Sequence, residues 1–222
     1  MNTTVAANTK EREPILGPVE CVSEMLFGLF MAVTFVGAIS VASPEQEIRT
    51  MFFAALGCNL AWGLVDAVMY LVRTITERGR VLTLALAVRG ASDAEAGRRH
   101  VERALSKVAA KLVSPAEIEA IRARIAALPS LPERPTLHRE DALAGTAIFF
   151  IVVAATFPVV LPFAFIDDAG TAKYVSRAAS LAMLFLGGLA LGRYAGSGSL
   201  RTGFTMMALG TAVIAAIMAL GG

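Results

Sequence analysis

The sequence predicts an all-α membrane protein: five transmembrane helices, with a helical cytoplasmic insert between helices 2 and 3. Two observations carry this expectation. Apolar residues make up 56% of the chain and gather in five runs of about twenty residues, the length that crosses a bilayer. Charged residues make up 17%, against roughly 25% in a soluble domain, and most of them fall between the second and third runs.

Residues 1–17 are polar and include Lys10, Glu11, Arg12 and Glu13. Pro14 and Pro18 hold off a helix until about Glu20, so a short N-terminal arm is expected there. The first span is placed at 18–42. It is too long and too acidic for the apolar stretch of a signal peptide. A short acidic loop, SPEQEIR, leads to the second span at 51–73. The third span, 141–166, contains Pro158 and Pro162, which should kink its outer half. The fourth, 174–194, carries Gly188, Gly192 and Gly196 at four-residue spacing, a small-residue stripe that lets helices approach closely. The fifth is placed at 201–220. The expected organisation is thus an arm (1–17), two spans (18–73), an insert (74–140) and three spans (141–222).

The insert has helical periodicity in RVLTLALAVRG, AEAGRRHVERALSKVAAKLV and SPAEIEAIRARIAAL. The last begins with a start signal: Ser114 as N-cap, Pro115 at the first helical position and Glu117 closing a capping box. About three amphipathic helices are expected near the cytoplasmic face, some resting on lipid headgroups. The Pro-rich PSLPERP then leads into the third span.

Lysine and arginine orient the spans. The insert carries Arg78, Arg80, Arg89, Arg98, Arg99, Arg103, Lys107, Lys111, Arg122, Arg124, Arg134 and Arg139. The arm adds Lys10 and Arg12, and the turn after span four adds Arg193 and Arg201. The opposite side has only Arg49, Lys173 and Arg177. The N-terminus is therefore expected in the cytoplasm and the C-terminus outside it, in the cell membrane, which in a bacterium is the inner membrane.

A net charge of +2 gives no reason to expect a nucleic-acid partner. The two cysteines, Cys21 and Cys58, form no disulfide framework or zinc spacing. Antiparallel spans would set them roughly 20 Å apart in depth, beyond bridging. Neither GxGxxG nor GxxxxGK[ST] is present, and an enzyme is not expected. His100 and His138 stand singly in polar settings and read as surface residues.

The chemistry-bearing residues lie inside the spans. Glu20 and Glu24 are four apart and share one face of helix 1. If helices 1 and 2 are antiparallel neighbours, matching Ala42 with Met51 sets Glu24 level with Met69 and Phe27 level with Asp66. Asn59, Gly63, Asp66 and Tyr70 form one stripe on helix 2. Carboxylates in a span face a bundle interior or a water-filled path, and they need protons, a cation, or an arginine such as Arg73 or Arg193. A methionine thioether beside them shifts preference toward transition metals. A competing reading has the acids solvated or paired with arginine as helix staples, in a non-transporting scaffold whose basic insert binds lipid or a protein partner.

Five spans, a large insert between the second and third, an acid at the start of span one and a methionine late in span two resemble the vacuolar iron transporter family. The C-terminal GRYAGSGSLRTGFTMMALGTAVIAAIMALGG is similar to that family's Gly-rich turn and last span. The resemblance implies a homodimer exchanging Fe²⁺ or Mn²⁺ for protons, with the metal as cargo and no resident cofactor. Glu24, in SEMLFG, takes the place of the family's span-one aspartate, and Met69 that of its span-two methionine. Glu20 and Asp66 would join them as metal contacts, with Glu24 and Asp66 coupling to protons. Two features depart from the family: NLAWGLVDAVMYL lacks its SMxxGE pattern, and the insert is basic and without methionine. The family's acidic cytoplasmic metal site is therefore not carried over.

Overall fold

The computed structural model describes residues 16–42, 48–106, 108–196 and 198–221. Most of the N-terminal arm, the greater part of the acidic loop and Lys107 lie outside the described residues. Every regular element among the described residues is helical: α1 (Pro18–Ala42), α2 (Ile48–Arg89), α3 (Ala94–Ala104), α4 (Ala109–Leu112), α5 (Pro115–Ala126), α6 (Arg139–Val160), α7 (Pro162–Phe165), α8 (Ala169–Ala195) and α9 (Ser199–Gly221). Five of them, α1, α2, α6, α8 and α9, are long and apolar enough to cross a membrane, as in a multi-pass membrane protein. The chain forms two compact units, one of residues 1–68 with 143–222 and one of residues 69–142.

In the first unit α1 packs against α8 and α9. Its inward face is Leu26, Leu29, Val33 and Val36, at alternating spacings of three and four, joined by Ala155, Val159, Phe163 and Leu184. Hydrocarbon is as apolar as leucine, so close fit rather than water exclusion holds these helices together. Glycines make that fit possible. A Cβ at Gly28 would meet Val152 of α6 at 2.9 Å. On α8, a Cβ at Gly188 would meet Gly203 Cα at 2.8 Å, and one at Gly192 would meet Ser199 Cα at 2.7 Å. The small-residue stripe of the fourth span is thus buried against α9 of the same chain and gives a homodimer no support. Gly196 does not belong to it. It ends α8 in the left-handed conformation at φ 67°, which glycine adopts without a Cβ penalty.

The third span is interrupted at its prolines, with Leu161 between the two helical pieces still in helical backbone geometry. Pro158 is tolerated inside α6, but α6 stops at Val160 and Pro162 opens the one-turn α7. Proline lacks the N–H that would continue the ladder. Ser176 Oγ donates to the Val159 carbonyl at 2.7 Å, satisfying backbone beside the break from a neighbouring helix.

In the second unit the largest departure from the expected layout is α2. It runs without interruption to Arg89, well beyond the expected end at 73. RVLTLALAVRG is therefore the tail of α2 and not a separate amphipathic helix. One side of it faces protein, where Val88 and Leu84 pack with Val101 of α3 and with Ile118 and Ile121 of α5, while Val81 and Leu86 are exposed. The second expected insert helix is broken at Leu105 into α3 and α4. The third is α5, with the capping box in place: Ser114 N–H donates to Glu117 at 2.7 Å and Glu117 N–H donates to Ser114 at 3.4 Å.

Candidate functional site

The residues expected to bind metal have four different surroundings. Glu20 is exposed in the first turn of α1. Its Oε2 accepts the Gly17 backbone N–H at 3.0 Å. Gly17 is the N-cap residue and Glu20 the third helical position, so this is the acidic half of a capping box. The first turn of a helix leaves its N–H groups without intrahelical partners, and a carboxylate there answers both that need and the helix dipole. Glu20 therefore has a structural task in its own turn.

Glu24 lies one turn further along α1 and is half-buried. Its turn leads into the core residues Leu26 and Leu29. Phe27 meets Trp62 of α2 edge-on, with ring centroids 6.4 Å apart. That contact sets the first part of α2 beside α1 within about one helical turn of the depth matching drawn from the loop length.

Asp66 is buried, at 5% exposure. It shares a face of α2 with Ala55, Asn59 and Gly63, all buried. The spacing is four, four and three, one stripe of a helix. Gly63 shows what this stripe faces: a Cβ there would lie 3.1 Å from Phe149 and from Val153 of α6, and 3.2 Å from the Phe149 carbonyl oxygen. An amide and a carboxylate are thus carried to the inside of the span-forming unit. The rest of this stretch of α2, including Leu60, Leu64 and Val65, is exposed apolar surface suited to lipid.

Met69 opens the second unit, and its side chain is nearly half exposed, at 46%. Among the described residues no three His, Cys, Asp or Glu side chains gather closely enough to hold a metal ion. Cys21 and Cys58 are both free thiols.

One charged site escaped the sequence reading. Asp141, buried at the start of α6, is held by Arg78 of α2 in a two-pronged ion pair, with Nη1 at 2.5 Å from Oδ2 and Nη2 at 2.8 Å from Oδ1. Arg78 Nη1 also donates to the Thr136 carbonyl at 2.7 Å. The His138 N–H donates to Asp141 Oδ2 at 2.6 Å, repeating the cap seen at Gly17 and Glu20. The available signal was the spacing of His138 and Asp141 ahead of an apolar run. Arg78 itself read as one more positive charge on a loop, because its helix seemed to end five residues earlier.

The insert helices are stitched by charge pairs. Arg98 is bound to Glu95 on its own helix and lies 3.8 Å from Glu119 of α5. Glu119 also receives Arg122 at 2.7 Å, and the guanidinium holds its carboxyl below the usual range. The Arg122 stem packs against Gly97, where a Cβ would meet Cδ at 3.0 Å.

No family model matches the sequence, and no curated protein aligns with it as a relative.

Proposed function

We propose that this protein is a membrane transporter of divalent transition-metal ions, Fe²⁺ or Mn²⁺, working by exchange with protons. The observation that carries the reading is Asp66, a carboxylate buried deep within a span-length helix and sharing its stripe with Asn59 and Gly63. Ionisable groups inside spans are costly and are retained where ions or protons pass. In this reading Asp66 moves a proton or contacts metal, and Glu24 is the entry carboxylate on α1. Met69 supplies a thioether that favours transition metals over Mg²⁺. Glu20 contributes negative charge at the mouth from its place in the cap. Metal needs deprotonated ligands, so one site serves protons and metal by turns. The family resemblance lies behind this reading and behind a homodimer; the distribution of lysine and arginine supports a cytoplasmic N-terminus and insert with the C-terminus on the other side.

A second reading draws on the Glu20 cap and the Arg78–Asp141 pair, since both give acids at span ends a purely structural use. The protein would then be a scaffold. Uptake of Fe²⁺ and Mn²⁺ into liposomes holding the purified protein, with an imposed pH gradient, separates the two. Transport predicts metal-dependent flux that Glu24→Gln abolishes while the size-exclusion profile stays unchanged. Glu20→Gln keeps the cap, because an amide oxygen also accepts the Gly17 N–H, and should retain most of the flux. Well-folded wild-type protein that gives no metal-dependent flux leaves the scaffold reading ahead, and normal flux from well-folded Glu24→Gln removes Glu24 from the path.

A further inference from the structure

The arginines of the second unit are not equivalent. Arg78 is bound by Asp141, Arg98 by Glu95 and Glu119, Arg99 lies 3.9 Å from Glu95, and Arg122 is bound by Glu119. Another group of basic residues is left with little compensation and converges on one place. An open cleft of about 500 Å³ lies between α2 and α3, and Arg80, His100 and Arg103 line it together with Thr76, Thr83 and Leu84. Among the described residues no carboxylate lines it.

Arg103 is held in position without a carboxylate. Its Nε donates to the Arg99 carbonyl at 3.1 Å, and its Nη2 lies 3.2 Å from His100 Nδ1. Among the described residues no carboxylate pairs with Arg103. Arg80 meets only the exposed Glu77, at 3.5 Å, and its own side chain is 75% exposed, a contact worth little in water. Two guanidinium groups around an acid-free cleft, one of them fixed in advance, are a receptor for a tetrahedral oxyanion. The cleft also has a definite height. Along α2, Thr76 and Arg80 follow Arg73 by about one to two turns, roughly 5 to 10 Å. Arg73 is where the apolar run of the second span ends in the sequence, so an α2 that crosses a bilayer up to that point would bring the cleft near lipid phosphates.

We infer that the cleft between α2 and α3 binds a phosphate group, with Arg80 and Arg103 as its charged contacts. Phosphate can arrive on an anionic lipid or free in solution, and the chemistry of the cleft is the same for both. The lipid-borne form fits the depth, and Leu84 and Ala87 offer apolar surface beside the charges.

The test uses the full chain in a neutral detergent. Thermal stabilisation and native mass spectra are followed with dioctanoyl phosphatidic acid, dioctanoyl phosphatidylcholine and inorganic phosphate as probes. Phosphatidic acid should bind saturably, and Arg80→Gln with Arg103→Gln should weaken it at least about tenfold, as expected for losing charged hydrogen bonds. Arg124→Gln, an exposed charge outside the cleft, should leave the affinity unchanged. Arg80→Gln alone keeps the test informative if the double variant does not fold, and it should weaken binding about threefold or more. Competition by inorganic phosphate at similar concentration would identify a soluble phosphate as the ligand of the same cleft. Equal binding by wild type and the cleft variants, or an equal loss in Arg124→Gln, would overturn the inference.

Discussion

Breaking the Arg78–Asp141 pair should destabilise the protein asymmetrically. The Asp141 side chain is 8% exposed and the Arg78 side chain 36%. Replacing Arg78 with glutamine strands a charged carboxylate where water hardly reaches it. A fully buried stranded charge costs about 3–5 kcal/mol. Asp141 keeps the His138 N–H, so about 3 kcal/mol is expected here. Replacing Asp141 with asparagine strands a guanidinium that water reaches and that still has the Thr136 carbonyl. About 1–2 kcal/mol is expected, since the amide oxygen can still cap α6. In a chain of this length each kcal/mol moves the unfolding midpoint by about 2–4 °C. Arg78→Gln should therefore lower it by about 6–12 °C and Asp141→Asn by about 2–8 °C.

The double variant removes both charges and should be less damaged than the sum of the singles, by a coupling of about 1–2 kcal/mol. Arg78→Lys keeps the charge but loses the fork, and should fall between wild type and Arg78→Gln. The assay is the unfolding midpoint of the purified protein in one mild detergent, with Arg124→Gln as the surface control. Equal losses from the two single variants, or strict additivity, would refute the claim that exposure sets the cost.

Three further outcomes follow from separate features. Gly188→Ala should cost about 1–3 kcal/mol through overpacking against Gly203 and Thr202, whereas Gly57→Ala, with nothing within 4 Å of the new Cβ, should raise the midpoint by up to about 1 kcal/mol equivalent; equal midpoints for both would contradict the packing at Gly188. Asp93, Glu117 and Glu119 sit below the ordinary carboxylate range, through the Ala96 N–H, the Ser114 N–H and the Arg122 guanidinium respectively. A lowered folded-state value stabilises above the ordinary range and loses that contribution as pH falls through it, so amide protection of α3 and α5 should hold at about pH 6 and decline below about pH 4, read by hydrogen exchange corrected for intrinsic rates; full protection at pH 3 would count against it. Asp66→Asn should impair metal uptake and alter its dependence on the imposed pH gradient; an unchanged pH profile removes Asp66 from proton coupling.

Much of the spanning architecture is legible in the sequence because length and apolar content determine it. The five runs appear as α1, α2, α6, α8 and α9 with ends shifted by a few residues, except at α2. That failure has a physical cause. VLTLALAV is apolar enough to continue the helix, and the charges at Glu77, Arg78 and Arg80 look like a boundary only if they face bulk solvent. Arg78 instead folds onto Asp141, while Leu82, Ala85 and Val88 are buried within the second unit. Tertiary contacts decide where this helix ends, and no local signal announces them. The capping box at Ser114 is the opposite case, because all of its partners lie within four residues and the sequence alone specifies it.

The acids show the same division between local and distant causes. Glu20 and Asp141 each stand three residues after an N-cap residue, and each accepts that residue's N–H. Helix ends leave such donors open, so an acid at this position has a reason that needs no ligand. Asp66 stands away from any helix end. It lies far inside α2, where the ladder already uses the backbone N–H groups, on a stripe whose other members are an alanine, an amide and a glycine. A leucine or alanine there would fill the same position without the cost of bringing a carboxylate out of water. Of the acids in the span-length helices, Asp66 is the one buried away from a helix end, which is why the transport reading rests on it and not on the more conspicuous pair at the start of α1.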